Sequence, residues 1–555
     1  METINKYYSE IDKSNFYLGL ISQVYRENSV IQVENLSLLE KRKIKMEYLL
    51  PSTINYFVII DSAAGLFIGQ IYYAKVNSSD SVHNDINLGR KEKVYPELAV
   101  DIIGVLGNKE KFELAGFKTV GVTDKVYIAN SKLLEKYISS IELNQYFSKK
   151  DGKEDNKKFL PQQKLKDIAS IDTFGDVGLS LQPNTLFDRH LLAIGTTNSG
   201  KSTSALKIID SMMGMGHKVL VIDPTGEFKN TFKDKQKVQQ ITLGVDAKVS
   251  VGEISLVQWS EAIGTNDSTQ PAVLADAIKS LRYQFKEGLN QIYIKKDRYI
   301  EAVEDDMNSV CEDDVQFNLN LLAKQVSAET RQVDRNHKQY EAKTFNFNSN
   351  QYLVQKIESL LNNTTFLEFF SGAPSDSESV DSEQKNLFSE LDKFVMGDKS
   401  LYIDASQIGV SDNIGTMIVD LISSRLINMD KPDKPYLMYI DEVHRYIDKI
   451  NASNSGLVAI AREGRKKGVF LFLTTQSPKD VPEILLAQVG TLLIHRITHS
   501  EELKIIQNMV QPGSIAQIKN LNQGEAILSS INLIRDIHVR FKKSLLTHDN
   551  DTPTF

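Results

Sequence analysis

The amino-acid sequence predicts an α/β fold: a buried, mostly parallel sheet flanked by helices, carrying a helical insertion and preceded by a small N-terminal β-barrel. Three observations predict it. From about residue 165 onward, apolar runs of strand length alternate with helical patterns. A glycine-rich phosphate-loop pattern, Gly195–Thr203, stands between one such run and one such helix. Residues 1 to about 130 instead show short apolar stretches broken by Gly, Ser, Asn and Asp, the rhythm of a small barrel or sandwich.

At 555 residues the chain is long enough for two or three folding units. The expected division is a barrel over 1–130, a linker over 131–165, a core built from 166–254 and 396–545, a helical insertion over 255–395, and a tail over 546–555. With 41% hydrophobic and 25% charged residues, the composition is that of a soluble globular protein. The single cysteine, Cys311, excludes a disulfide framework and a cysteine-rich zinc site, and favours a reducing setting. No run approaches the roughly 20 apolar residues that cross a bilayer. The start, METINKYYSEIDKS, lacks the pattern of a signal peptide. A soluble cytoplasmic protein without membrane contact is expected. The net charge of −7 does not advertise a nucleic-acid binder. It does not exclude one either, because a ring needs positive charge only along its channel.

In the N-terminal part, Phe57–Ile60, Leu66–Tyr73, Ala99–Leu106 and Lys118–Val126 read as strands, and polar Ser78–Asn87 as a mobile loop. Ser148–Lys158 is charged without an apolar face and reads as a linker or an exposed loop. In the core, Leu191–Ile194, Val219–Ile222, Leu401–Ile403, Tyr436–Ile440, Phe470–Thr474 and Thr491–Ile494 are apolar throughout, as strands buried on both faces of a parallel sheet are. Leu457, Ile460 and Ala461 fall at helical spacing after the fourth of these. In the insertion, Ala272–Phe285, Gln316–Val333 and Tyr352–Leu361 read as amphipathic helices, with Pro271 just ahead of the first. Ser371–Gln384 reads as a loop, and His548–Phe555 as a frayed tail.

The chemistry is carried by four motifs. Gly195, Thr196, Thr197, Asn198, Ser199, Gly200, Lys201, Ser202 and Thr203 match glycine, four residues, then Gly-Lys-Ser. Such a loop surrounds phosphate oxygens with backbone N–H groups, and the helix that follows adds partial positive charge. Lys201 is expected on the β/γ-phosphates of ATP and Ser202 on Mg²⁺. The strand Tyr436–Ile440 ends in Asp441 and Glu442. Asp441 suits the Mg²⁺ shell, and Glu442 suits the polarisation of an attacking water. Gln476 ends the run Phe470–Thr475, where it suits either a sensor of the γ-phosphate or a plain strand terminator. Arg462 and Arg465 lie in a basic helix end, Ala461–Gly468. Either can stabilise charge on a transferred phosphoryl group, and either also suits a helix C-terminus on local grounds.

Taken in order, FDRHLLAIGTTNSGKST, VLVIDPTGEF, YLMYIDEVHRY, IAREGRKKGVFLFLTTQSPKDVP and GTLLIHRI resemble the HerA branch of the HerA–FtsK superfamily. The resemblance is strong over about 170–250 and 400–540, and looser over 1–130. It implies a RecA-like P-loop core behind a barrel and an ATPase with Lys201 and Ser202 on the nucleotide. It further implies an acidic Asp223 near the nucleotide or its metal, a catalytic Glu442 and a sensor Gln476. Arg189, with Arg462 or Arg465, becomes a candidate for action within or across subunits, and Glu227 falls on an acidic position of the family. Asp223 also suits a strand-end turn with Pro224. The P-loop departs from the family at Asn198, where glycine is common, and the helical middle matches no familiar pattern.

The resemblance also implies a homo-oligomer, a hexameric ring, that translocates or unwinds DNA. It suggests a partner nuclease or sirtuin-like effector, in DNA processing or antiviral defence. A second expectation is a nucleotide-controlled ring scaffold that activates such an effector without translocation. A third, a conjugative coupling or secretion ATPase, is disfavoured by the absence of an apolar spanning segment.

Overall fold

A computed structural model of the chain describes all residues except 1–3, 26–27, 45–46, 50–53, 150–158, 172–176, 266–268, 330–331, 335–337, 342–343, 371–384, 409–411, 448–454 and 547–555. All but the first two residues of the expected linker Ser148–Lys158 lie outside the described residues, as do the loop Ser371–Gln384 and the tail His548–Phe555. Contacts divide the chain into two compact units. The first comprises Met1–Asp188, Ile194–Ser211 and Gly490–Lys543; the second comprises Arg189–Ala193, Met212–Val489 and Ser544–Phe555. Among the described residues, no helix is long and apolar enough to cross a membrane.

The first unit begins with the barrel. Its strands are Tyr17–Val24, Ser29–Val33, Phe57–Ser62, Gly65–Lys75, Glu97–Leu106 and Lys125–Ile128, all antiparallel to their neighbours. Ser29–Val33 pairs with both Tyr17–Val24 and Glu97–Leu106, which closes the ring. Leu18, Ile31, Val58, Ile68, Val100 and Val126 are fully buried, the packed interior that a barrel of this size requires.

Two local expectations are corrected. Ser78–Asn87 is not a loop: Asp80–Asn87 forms a helix, with the Ser79 hydroxyl accepting the N–H of Val82 at its start. A serine cap outweighs a polar composition that lacks a buried face. Within Lys118–Val126 only the end is strand. Thr123 takes a left-handed φ of 73°, and the Asp124 carboxylate accepts the N–H of Gly121, so a turn occupies the rest.

Five further strands of this unit run antiparallel to one another within a larger sheet, in the order Val177–Leu181, Leu165–Ile171, Ile537–Phe541, Glu525–Ser530, Thr491–Ile494. Thr491–Ile494 forms a fully buried strand, as expected, and its pairing with Glu525–Ser530 is antiparallel. A four-residue run buried on both faces carries no signal for the direction of its neighbours.

The second unit is the α/β core. Its strand order is Leu191–Ile194 (of which Ile194 belongs to the first unit), Val469–Thr475, Tyr436–Ile440, Lys218–Asp223, Ser400–Asp404, Val238–Thr242. The last five run parallel to one another. Every residue of Tyr436–Ile440, Lys218–Asp223 and Ser400–Asp404 is buried. The edge strand Val238–Thr242 escapes sequence reading because Gln239 and Gln240 interrupt its apolar pattern, which an edge tolerates. The helix Gly456–Lys467 buries Leu457, Ile460 and Ala461, as the spacing predicts.

Between Val238–Thr242 and Ser400–Asp404 lies the helical insertion. Its longer helices are Thr269–Lys286 and Thr344–Leu361, and Leu387–Met396 closes it. Pro271 sits inside the first turn of Thr269–Lys286 rather than ahead of it, a position where proline removes no helical hydrogen bond. The helix expected over Gln316–Val333 is confined to Leu322–Ala328. Asn318 accepts the N–H of Asn320 and starts a separate short turn, and Gln332–Asp334 pairs as a strand. Trp259, against Phe317 and Phe370, anchors the insertion's own core. The buried Lys218 donates to the carbonyls of Phe394, Val395 and Gly397 at 2.7–2.8 Å, capping the last helix onto the core strand.

Candidate nucleotide site

In the first unit, the phosphate loop leaves its strand at Ile194 and enters the helix Lys201–Gly214. Two residues take left-handed backbone, Asn198 (φ 60°) and Gly200 (φ 110°). A Cβ on Gly200 would stand 2.8 Å from the backbone nitrogen of Gly524, so glycine is required there. Asparagine is among the few other residues that adopt a left-handed φ readily, which accounts for the tolerated departure at Asn198.

The loop is fastened by chain distant in sequence. The N–H and hydroxyl of Thr196 donate to the carbonyl of Arg496 (3.1 and 3.2 Å), and the N–H of Gly524 donates to the carbonyl of Ser199 (3.0 Å). Lys201 is buried, and its Nζ donates to the Gly195 carbonyl at 2.7 Å. The ammonium is thus folded over the loop, in a bond that a phosphate oxygen can replace. Ser202 and Thr203 are half-buried at the helix start, and Thr197 and Asn198 are exposed.

Beneath the loop lies a residue that sequence reading missed, His495. It is fully buried. Its Nδ1 donates to the Glu525 carbonyl at 2.9 Å, leaving Nε2 to accept the Ser204 hydroxyl at 2.9 Å. Burial, and then the charge of Lys201, push its pKa down to about 4. A folded value below the unfolded value of about 6.5 means that the neutral ring stabilises the fold fully above pH ~6.5, and this contribution is lost as pH falls towards 4. The shift corresponds to a contribution on the order of 3 kcal/mol. Denaturant melts between pH 7.5 and pH 5 are expected to show a steeper loss of stability in the wild type than in His495→Gln, whose side chain cannot titrate. Equal slopes would rule this out.

In the second unit, the ends of two neighbouring parallel strands, Tyr436–Ile440 and Val469–Thr475, bring the acidic pair and Gln476 together. Asp441 is buried and accepts the Tyr439 hydroxyl at 3.1 Å and a close hydrogen bond from the Thr474 hydroxyl. The Glu442 N–H donates to Thr474 Oγ1 at 2.9 Å. Its carboxylate is gripped through both oxygens by one residue: Gln476 Nε2 donates to Oε1 at 2.6 Å, and the Gln476 N–H donates to Oε2 at 2.9 Å. The sequence could not reveal this pairing across 34 positions without the strand order.

Asp223, also buried, accepts the N–H and hydroxyl of Thr225 and the N–H groups of Gly226 and Phe228, with the Tyr402 hydroxyl at 2.9 Å. The strand-end turn accounts for all of the backbone bonds. Asp404, opposite it in register, was not anticipated. It is buried, with Oδ1 accepting from Ser406. Glu227 is half-buried, and Arg189, Arg462 and Arg465 are exposed. Among the described residues, no group of three or more His, Cys, Asp or Glu is arranged to hold a metal ion. The Ser202 hydroxyl and the Asp441 carboxylate each offer the kind of oxygen that suits Mg²⁺, which keeps several waters and phosphate oxygens as ligands.

A glycine-turned loop with a buried lysine, and a strand end whose glutamate is hydrogen-bonded by a neighbouring strand's glutamine, define the class: a P-loop nucleoside-triphosphate hydrolase. Two family models match the chain, the central domain of helicase HerA over residues 168–406 and the HerA-like helicase C-terminal domain over residues 416–532. The chain belongs to the HerA–FtsK superfamily of ATPases.

A probable helicase of Methanocaldococcus jannaschii is 23% identical over 464 residues, covering 80% of this chain and 78% of the relative. The DNA double-strand break repair helicase HerA of Pyrococcus furiosus is 22% identical, covering 80% and 76%. That of Sulfurisphaera tokodaii is 24% identical, covering 65% and 66%, so the chain spans just under two thirds of that relative. Among solved structures, VirB4 of Thermoanaerobacter pseudethanolicus is similar with a TM-score of 0.46 and 14% identity, covering 68% of this chain and 96% of that one. The plasmid coupling protein TrwB in complex with ADP and Mg²⁺ has a TM-score of 0.44 and 14% identity, covering 69% and 90%.

Proposed function

We propose that this ATPase is a DNA translocase of the helicase type, acting as a ring of identical subunits, a hexamer. The observation that carries the hydrolytic part is the Glu442 carboxylate held by Gln476 at the ends of adjacent parallel strands. In this reading, Gly195–Thr203 wraps the phosphates of ATP, and Lys201 neutralises the β/γ oxygens. Ser202, Asp441 and Asp223 are the residues that would hold Mg²⁺, which would supply charge neutralisation on the phosphates when bound. Glu442 accepts a proton from the attacking water, and Gln476 orients that water or reports the γ-phosphate. Arg189, Arg462 and Arg465 are exposed and are the proposed candidates for reaching a neighbouring subunit's nucleotide. The helicase names of the relatives support DNA as the track. A separate effector, a nuclease or NAD hydrolase, is proposed as the partner that the ring serves.

The test is ATP turnover with and without duplex DNA at low salt, using the protein together with its partner. DNA is expected to raise turnover several-fold, and rising salt to erase that stimulation as counterions compete for the track. Identical turnover with and without DNA would leave the motor without a substrate.

A further inference from the structure

The phosphate loop is braced by a turn far along the chain, Asn522–Glu525. The Glu525 N–H donates to the Asn522 carbonyl at 3.1 Å, and Gly524 supplies the left-handed residue (φ 81°) at the third position. The Glu525 side chain folds back over its own turn. Its Oε2 accepts the Asn522 N–H at 2.8 Å, and the Asn522 side-chain amide donates to both oxygens at 3.1 Å. Across the ladder, Arg540 stands in register with Glu525 and donates from Nη2 to Oε1 at 2.6 Å. The Glu525 side chain is 6% exposed and that of Arg540 52%. Burial alone would raise the Glu525 carboxyl, but the Asn522 N–H, the Arg540 guanidinium and the Asn522 amide outweigh it and bring it down to about 2. Glu525 is therefore a carboxylate at neutral pH.

The backbone of this turn meets the phosphate loop by two routes. The Gly524 N–H donates to the Ser199 carbonyl at 3.0 Å, and the Glu525 carbonyl accepts from His495, whose Nε2 accepts the Ser204 hydroxyl. Ser199 lies between the two left-handed residues of the loop, Asn198 and Gly200. A trans peptide is planar, so a carbonyl and the N–H that follows it point opposite ways. Fixing the Ser199 carbonyl on Gly524 therefore aims the Gly200 N–H away from Gly524. We propose that Glu525 is a positioning residue for the phosphate loop: its carboxylate, held by Arg540, closes the turn whose Gly524 N–H sets the direction of the Gly200 N–H. This rests on the reading of Gly195–Thr203 as the phosphate site, where backbone N–H groups are the donors. A tilt of that one peptide would weaken the phosphate contact even with Lys201 in place.

The test uses the full chain with Glu525→Ala, Glu525→Gln, Arg540→Ala and the double variant Glu525→Ala/Arg540→Ala. The readouts are the Kd of a fluorescent ATP analogue, KM and kcat for ATP, and thermal melting. Glu525→Ala is expected to raise Kd and KM about 10-fold, the size of one lost charge-assisted hydrogen bond. Glu525→Gln keeps one acceptor oxygen and is expected to lose less. Arg540→Ala leaves the Asn522 donors in place and is expected to raise Kd about 3-fold, with no further loss when added to Glu525→Ala. A fold defect alone would lower the melting temperature and the active fraction, and so the apparent kcat, while Kd stayed that of the wild type. That result, or additive losses in the double variant, would overturn the assignment. If Glu525→Ala does not fold, Glu525→Gln and Arg540→Ala decide, and wild-type Kd in both overturns it. Lys201→Ala, titrated in parallel, separates the two levels. Tight ATP binding there sinks the phosphate-site reading, whereas lost binding beside a wild-type Kd in Glu525→Ala sinks only the role of Glu525.

Discussion

Lys201→Ala is expected to reduce kcat/KM for ATP by at least about 100-fold, close to 3 kcal/mol of lost transition-state stabilisation. The lysine is the buried cation of the phosphate loop, and its ammonium already lies against the loop's own carbonyl at Gly195. Binding ATP exchanges that carbonyl for phosphate oxygens, so affinity and turnover are both expected to fall. The substitution also leaves the Gly195 carbonyl without its ammonium donor, so a lower melting temperature is expected alongside. Direct titration of a fluorescent ATP analogue, with melting curves, distinguishes lost contact from lost fold. Retained tight binding in a folded Lys201→Ala protein would move the nucleotide elsewhere.

Glu442→Gln is expected to do something different: turnover falls about 10²- to 10⁴-fold while ATP stays bound. The substitution preserves shape and removes only the proton acceptor. It also has a structural signature. A carboxylate accepts from both Gln476 donors at once, whereas an amide offers one oxygen, so one of the two Gln476 donors must lose its partner. Rapid-quench measurement of bound ATP against ADP reads the trap directly. Ordinary turnover in this variant would place the base on another residue.

The legible parts of the molecule were those written contiguously. The phosphate loop occupies nine consecutive residues, and the acid pair ends an unbroken apolar strand, so both stand out without three-dimensional information. What fastens them is remote. Arg496 and Gly524 hold the loop from some 300 positions away, and His495 supports it from just past the strand Thr491–Ile494. No spacing rule connects such positions, because their meeting depends on strand order. Burial hid other features. Thr491–Ile494 looks the same whether its neighbour runs with it or against it. Val238–Thr242 lies at an edge, where glutamines are allowed. The Asp80–Asn87 helix failed the apolar-periodicity criterion for a different reason: it buries none of its residues, and one serine at its start marks it.

The N-terminal sheet has a consequence for any protein that docks on it. Its first and fifth strands both pair with the second, and Phe112–Glu113 extends the fifth by only a two-residue ladder. A closed cylinder offers no long open border, so a visiting chain cannot join by adding a strand of its own. Recognition there falls to side chains and to the segments that link the strands. Such a surface can change its partner by point substitution without disturbing the backbone ladder that holds the cylinder together.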